Sequence, residues 1–179
     1  LLRDLREAGC GHVVMEVTSH ALELGRVEGC RFRAAVFTNL TRDHLDSHGD
    51  AAAYLAAKCK LDGYLATGGF QVVNADDPAW RALPARAERI SFGIAAPADV
   101  RASDVEGDRG SVRFTLAARG VSAPVIVPLP GRFNVENALG AGAAAIALGR
   151  EVADVASRLA SAPPVPGRME RLSDAPCVV

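Results

Sequence analysis

Lys58 and Lys60 are the only lysines in the chain; every other strongly basic side chain is an arginine. An amine can lose its proton, act as a nucleophile or take up CO2 as a carbamate, whereas a guanidinium stays protonated. Upstream lies the polar run Thr38-Asn39-Leu40-Thr41-Arg42-Asp43-His44-Leu45-Asp46, then His48-Gly49-Asp50. It follows the apolar segment Ala34-Ala35-Val36-Phe37, which reads as a buried strand. Carboxylates, two imidazoles and an amine are thus concentrated where a strand should stop.

Helical spacing separates the two lysines. On a helix beginning behind Asp50, positions 54, 58, 61 and 65 share a face. They are Tyr54, Lys58, Leu61 and Leu65, with Leu55 alongside, so Lys58 runs with the apolar stripe and Lys60 points elsewhere. A buried ammonium is costly, which favours a neutral, carbamate-forming amine. The alternative is a side chain that snorkels its charge to the surface.

The elements that must position these groups alternate. Leu1–Ala8 reads as a helix end, Val13–Val17 as a short strand, and Ser19–Leu24 as a short helix. Ala34–Phe37 is the next strand, residues 50–66 a helix, and Gln71–Asn74 a strand closed by the turn Ala75-Asp76-Asp77-Pro78. That rhythm implies a mostly parallel, helix-covered sheet, an α/β three-layer fold. Strands at 90–93, 112–116 and 125–129 suggest a small antiparallel subsheet, with Arg113 and Thr115 on its exposed face. Asn134–Leu148 and Glu151–Leu159 return to helix, and the Pro-rich segment 162–167 reads as a hinge. In such a sheet, ligands bind beyond the carboxyl ends of the strands.

Composition narrows the function classes. Hydrophobic residues make up 49% of the chain and the formal net charge is −1, with no basic stripe to suit nucleic acid. No apolar run reaches the ~20 residues that span a bilayer, and no signal peptide opens the chain. Cys10, Cys30, Cys59 and Cys177 lack zinc-type spacing and are expected to be reduced thiols of a cytoplasmic protein.

Four segments, in order, carry a family resemblance: Met15-Glu16-Val17-Thr18-Ser19-His20-Ala21-Leu22 with Gly25-Arg26-Val27; Phe37 to Asp50 with Ala57-Lys58; Gly131-Arg132-Phe133-Asn134-Val135-Glu136-Asn137-Ala138; and Val165-Pro166-Gly167-Arg168-Met169-Glu170. The chain resembles the Mur ligases, the ATP-dependent amide-forming enzymes of peptidoglycan synthesis. Its first segment is most similar to the branch that adds the third residue of the stem peptide. The resemblance implies a P-loop-NTPase-like central domain over 1–164, with the hinge and the start of a C-terminal ligase domain at 165–179. No Gly-x-x-x-x-Gly-Lys-[Ser/Thr] occurs in the sequence. The family's phosphate loop is expected before residue 1 and its amino-acid-selecting domain after Val179, so the chain alone is expected to be inactive.

The resemblance also implies roles. Glu16 and His44 would be Mg²⁺ ligands, Lys58 a carbamate supporting a second Mg²⁺, and Arg168 a hinge arginine that reaches the ATP phosphates. Thr18 and Arg26 would contact UDP-MurNAc-dipeptide, and Asn137 would read adenine. Read only as residues, Glu16 is equally a solvated strand-end acid, Arg26 and Arg168 surface arginines, and Asn137 a helix cap, for which Asn134 is the better placed. His12 and His48 read as turn or surface histidines, and His20 as either an orienting or a packing group. The implied partners are UDP-MurNAc-dipeptide and a diamino acid, diaminopimelate or lysine, in a monomeric enzyme without nucleic-acid or membrane partners. Two other readings stand beside this one. One is a nucleotide-sugar-binding remnant without activity; the other is a related ligase of folylpolyglutamate-synthase or cyanophycin-synthetase type.

Overall fold

The computed structural model describes residues 2–40, 50–86, 88–108, 110–163 and 167. Six strands form one sheet in sequential order: β1 Phe32–Phe37, β2 Leu65–Asn74, β3 Arg89–Gly93, β4 Val100–Gly107, β5 Val112–Ala118 and β6 Val121–Val127. β1 to β4 pair in parallel, and β4–β5–β6 pair antiparallel. The antiparallel part therefore begins at β4, a strand the sequence reading passed over, and β3 belongs to the parallel part. β5 alternates as expected, with Val112, Phe114 and Leu116 buried, Arg113 exposed and Thr115 half-buried.

Helices cover both faces, and the strand alternation shows it. Val72 and the half-buried Val36 join a core with Phe92, Leu116, Leu139 and Ile146 beneath α4 (Arg132–Ala147) and α5 (Val152–Ala160). The intervening Ala35, Phe37 and Val73 pack on the other face with Trp80 and Leu83. Leu55, on α3 (Ala51–Cys59), closes that second layer together with Leu61 and Leu65. Small residues let α4 pack closely against both the sheet and its neighbour α5. A Cβ at Gly140 would sit 3.3 Å from Phe92 Cζ and 3.4 Å from Val36 Cγ1, and one at Gly142 would sit 3.3 Å from Val155 Cγ1.

Two expected elements differ. The helix behind Asp50 ends at Cys59, continues as a 3-10 turn over Lys60–Tyr64, and gives way to β2 at Leu65. Gly63 and the β-forming run that follows end the α-helix earlier than the apolar spacing alone suggests. Leu61 and Leu65 still pack on the intended side, from a turn and a strand. The expected strand Val13–Val17 does not form. Residues 12–18 have no regular structure, and Val14 is 98% exposed. An apolar run becomes a strand only by pairing, and among the described residues nothing pairs with the outer edge of β1. The short helices α1 (Leu2–Glu7) and α2 (Ser19–Glu23) flank this segment as expected.

Candidate functional site at the carboxyl ends of the strands

β1, β2 and β3 end side by side, with Phe37 opposite Val73 and Asn74 opposite Phe92. The residues just beyond these ends are stitched together by polar contacts. The Trp80 indole N–H donates to the Thr38 carbonyl at 3.0 Å, and the Leu40 N–H donates to Asp77 Oδ2 at 2.6 Å. The other Asp77 oxygen caps the 3-10 turn Pro78–Ala82 by accepting from the Ala79 N–H at 3.0 Å. Asp76 accepts from three successive backbone N–H groups: Ile94 at 2.7 Å, Ala95 at 3.1 Å and Ala96 at 2.6 Å. The loop after β3 thereby wraps one carboxylate. A Cβ at Gly93 would crowd Asp76 Oδ1 at 3.1 Å, so glycine suits this close approach.

Asn74, 3% exposed, sits at the centre. Its Oδ1 accepts from the Asp76 N–H at 2.9 Å, and its Nδ2 donates to Asn39 Oδ1 at 2.9 Å. Asn39 Nδ2 in turn donates to Glu136 Oε2 on α4 at 3.4 Å. Asn74, Asp76, Asp77 and Glu136 were not singled out from the sequence. The Asn-x-Asp-Asp-Pro turn was the available signal, since such residues bind local backbone groups.

The residues chosen from the sequence fall into three groups. Lys58 is half-buried on α3 with its ammonium 5.1 Å from the centroid of the Tyr54 ring, while Lys60 is exposed. The difference in burial is the one helical spacing predicts, and a cation over an aromatic face is attracted to it. α3 starts where expected, because Asp50 Oδ1 accepts from the Ala53 N–H at 2.8 Å.

Thr18, Arg26 and Glu16 form the second group. Thr18 is the N-cap of α2, its Oγ1 accepting from the Ala21 N–H at 3.1 Å. The helix closes with Gly25 at φ 64°, where the N–H groups of Gly25 and Arg26 reach the carbonyls of Leu22 and Ala21 at 3.3 and 2.9 Å. This Schellman closure presents Arg26 exposed, directly after the turn. α2 packs against α3, which brings this segment beside the helix that carries Lys58. Glu16 is exposed, in the unpaired segment, not at a strand end. His20 is exposed on α2 and His12 is exposed before it.

Asn137 is exposed on the first turns of α4, on the same face as the exposed Phe133 one turn earlier. Its Nδ2 donates to Asn134 Oδ1 at 3.4 Å. Asn134 is not the expected N-cap. Gly131 holds that position at φ 93°, and the Asn134 amide instead donates to the Pro130 carbonyl at 2.7 Å. His44, His48 and Arg168 lie outside the described residues, as does Cys177. The thiols of Cys10, Cys30 and Cys59 are free.

Glu16 is a hard oxygen donor of the kind Mg²⁺ prefers. Among the described residues, however, no group of three or more His, Cys, Asp or Glu converges on a metal position. Of the three expected Mg²⁺ ligands, Glu16 and Lys58 lie among these residues and His44 does not. Among the described residues no helix is long and apolar enough to cross a membrane.

A second buried network lies at the other end of the sheet. Gln71, fully buried, donates to Asp62 Oδ1 and to the Pro84 carbonyl, and it accepts from Arg89 Nε at 2.8 Å. Arg86 grips Asp62 from outside. The network fixes the 3-10 turn after α3 onto β2 and β3, and so sets how deep α3 sits.

The fold is shared with known ligases. The diaminopimelate-adding ligase of UDP-N-acetylmuramoyl-L-alanyl-D-glutamate from Xanthomonas campestris pv. campestris is 47% identical over 97% of this chain and 36% of its own length. The enzyme of the same name from Gloeobacter violaceus is 44% identical, again over 97% of this chain and 36% of its own. A solved structure of a ligase with that name superposes with a TM-score of 0.84 at 32% identity, covering 97% of this chain and 37% of that one. The chain thus spans little more than a third of the relatives it matches. The model of the Mur ligase middle domain matches residues 1–145, and with the sheet described above it shows that the chain belongs to the Mur ligase middle-domain family.

Proposed function

We propose that this chain is the central, nucleotide-handling domain of a MurE-type ligase, which joins diaminopimelate to UDP-MurNAc-L-Ala-D-Glu at the expense of ATP in the cytoplasm. The observation that carries the reading is the 47% identity to a diaminopimelate-adding ligase over nearly the whole chain. That span includes Thr18 to Arg26, the segment that sets this branch apart. The same identity favours diaminopimelate over lysine, a choice the sequence alone leaves open. The domain would occupy 1–164, with 165–179 forming the hinge into the next domain.

In this reaction the γ-phosphoryl group of ATP passes to the terminal glutamyl carboxylate, and ADP leaves. The amine of diaminopimelate then attacks the acyl carbon, the C–N bond forms, and inorganic phosphate departs with the oxygen it received. The chain's contribution is placement. The Thr18 hydroxyl and the Arg26 fork would hold the nucleotide-sugar. Asn137 would present donor and acceptor to the adenine edge. Arg168 would meet the phosphates as the domains close. Glu16, His44 and a carbamate on Lys58 would hold Mg²⁺, which would supply positive charge against the phosphates.

The test uses the full-length ligase with ATP, Mg²⁺, UDP-MurNAc-L-Ala-D-Glu and either diaminopimelate or lysine, with products read by mass spectrometry. A tripeptide product with diaminopimelate, formed with one ADP each, supports the reading. Tripeptide formation only with lysine, or none with either, refutes it.

A further inference from the structure

We infer that Glu136 is a positioning residue for the nucleotide: through Asn39 it locks the first turn of α4 to the end of β1 and so fixes where Asn137 stands. The inference rests on the proposed reading of Asn137 as an adenine contact.

The direction of the hydrogen-bond chain supports it. The Asp76 N–H can only donate, so Asn74 must turn its oxygen toward Asp76 and its Nδ2 toward Asn39. Asn39 must then accept with Oδ1 and donate with Nδ2, and Nδ2 faces Glu136 Oε2 at 3.4 Å. A carboxylate is the fitting end, since it accepts and has no donor when ionised. Three links thus run one way, from a backbone N–H on the rim to a side chain on α4. Asn74 is buried and both its polar atoms are committed, so it has no other orientation to adopt. That rigidity passes to Asn39 and from there to α4.

On α4, the buried Val135, Ala138 and Leu139 seat the helix on the core, and three further contacts add to that packing. Gly140 sets its distance from β1 and β3, with Val36 and Phe92 as the nearest atoms. The Asn134 amide ties it to Pro130 at 2.7 Å. Glu136 ties it to β1 through Asn39. The first fixes separation and the second fixes the entering chain. The third adds a sideways tie toward the rim, beside the core packing of Val135 and Leu139. Asn137 is the next residue after Glu136, and its exposed amide moves with that turn.

The test is ADP titration of the full-length ligase, with melting temperature recorded for every variant. Glu136→Ala is expected to weaken ADP about fivefold, the worth of one modest hydrogen bond. Glu136→Gln, whose amide oxygen still accepts from Asn39, is expected to bind within about twofold of the unaltered protein. Asn39→Ala should add no further loss to Glu136→Ala, because both cut the same link. Unchanged ADP affinity in Glu136→Ala, an equal loss in Glu136→Gln, or losses that follow melting temperature across the variants would each overturn the inference. Asn137→Ala separates the two layers. If it weakens ADP while Glu136→Ala does not, the positioning role alone fails; if it leaves ADP affinity unchanged, the adenine reading fails first.

Discussion

Arg86 holds Asp62 in a two-pronged grip, with Nε 2.8 Å from Oδ1 and one terminal nitrogen 2.7 Å from Oδ2. Asp62 is buried, and the Gln71 amide donates to it from below. The Arg86 hydrogen bonds are the largest of the influences that hold its carboxyl below the usual carboxylate range, outweighing the opposing effect of burial. A carboxylate with a lowered folded pKa adds stability above its unfolded value, about 3.9, and loses it as pH falls through the lower folded value. The protein is therefore expected to lose stability on acidification through this group. Asp62→Asn should be less stable at pH 7 but show a flatter decline as pH falls below about 4. Denaturant unfolding at several pH values checks this, and parallel declines in the two proteins would contradict it.

Thr18 caps α2 and is proposed to meet the nucleotide-sugar, so its removal has two separable effects. Thr18→Val keeps shape and loses the cap on the Ala21 N–H, costing about 1 kcal/mol of stability. Thr18→Ser restores the hydroxyl and should restore both stability and KM for the nucleotide-sugar. If Thr18→Val changes the melting temperature but not that KM, the hydroxyl serves the helix alone.

At Gly140, α4 lies close against Phe92 and Val36 of the sheet. Alanine favours helix over glycine by about 1 kcal/mol, yet its Cβ would meet Phe92 and Val36 at 3.3 and 3.4 Å, both in the packed core. Phe92 is 1% exposed and has little room to yield, so packing wins. Gly140→Ala is expected to destabilise by about 1 kcal/mol net, and Gly140→Leu by far more. A rise in melting temperature for Gly140→Ala would show that α4 can shift away from Phe92 and Val36 at little cost.

The fold was legible in the sequence where local pattern and tertiary pairing agree. The Asp50 cap, the alternation of Val112 to Leu116 and the Ala-rich helix after Gly131 are such cases. Apolar content misled at Val13–Val17, because a strand depends on a neighbour the run itself cannot specify. β4 was passed over because Val100–Gly107 alternates weakly and is interrupted at Asp104, which lies at φ 53° where the register with β5 shifts. The half-buried placement of Lys58 was legible because helical spacing is a local property. The Asn74–Asn39–Glu136 chain was not, since its partners lie up to 97 positions apart. Each of those residues by itself reads as a turn or surface polar group.

The placement of Lys58 is the central claim about chemistry in this domain. Its ammonium lies 5.1 Å from the Tyr54 ring centroid, half-buried, one helical turn beyond it. A guanidinium would keep the attraction to the ring and could not form a carbamate. The most direct measurement is turnover of full-length ligase carrying Lys58→Arg, beside Lys60→Arg as the exposed control. Lys58→Arg is expected to lose at least about a hundredfold in kcat, the scale of removing a group that acts on developing charge, while Lys60→Arg stays near the unaltered rate. Near-normal kcat in Lys58→Arg would contradict the carbamate role and leave Lys58 as a packing cation over Tyr54.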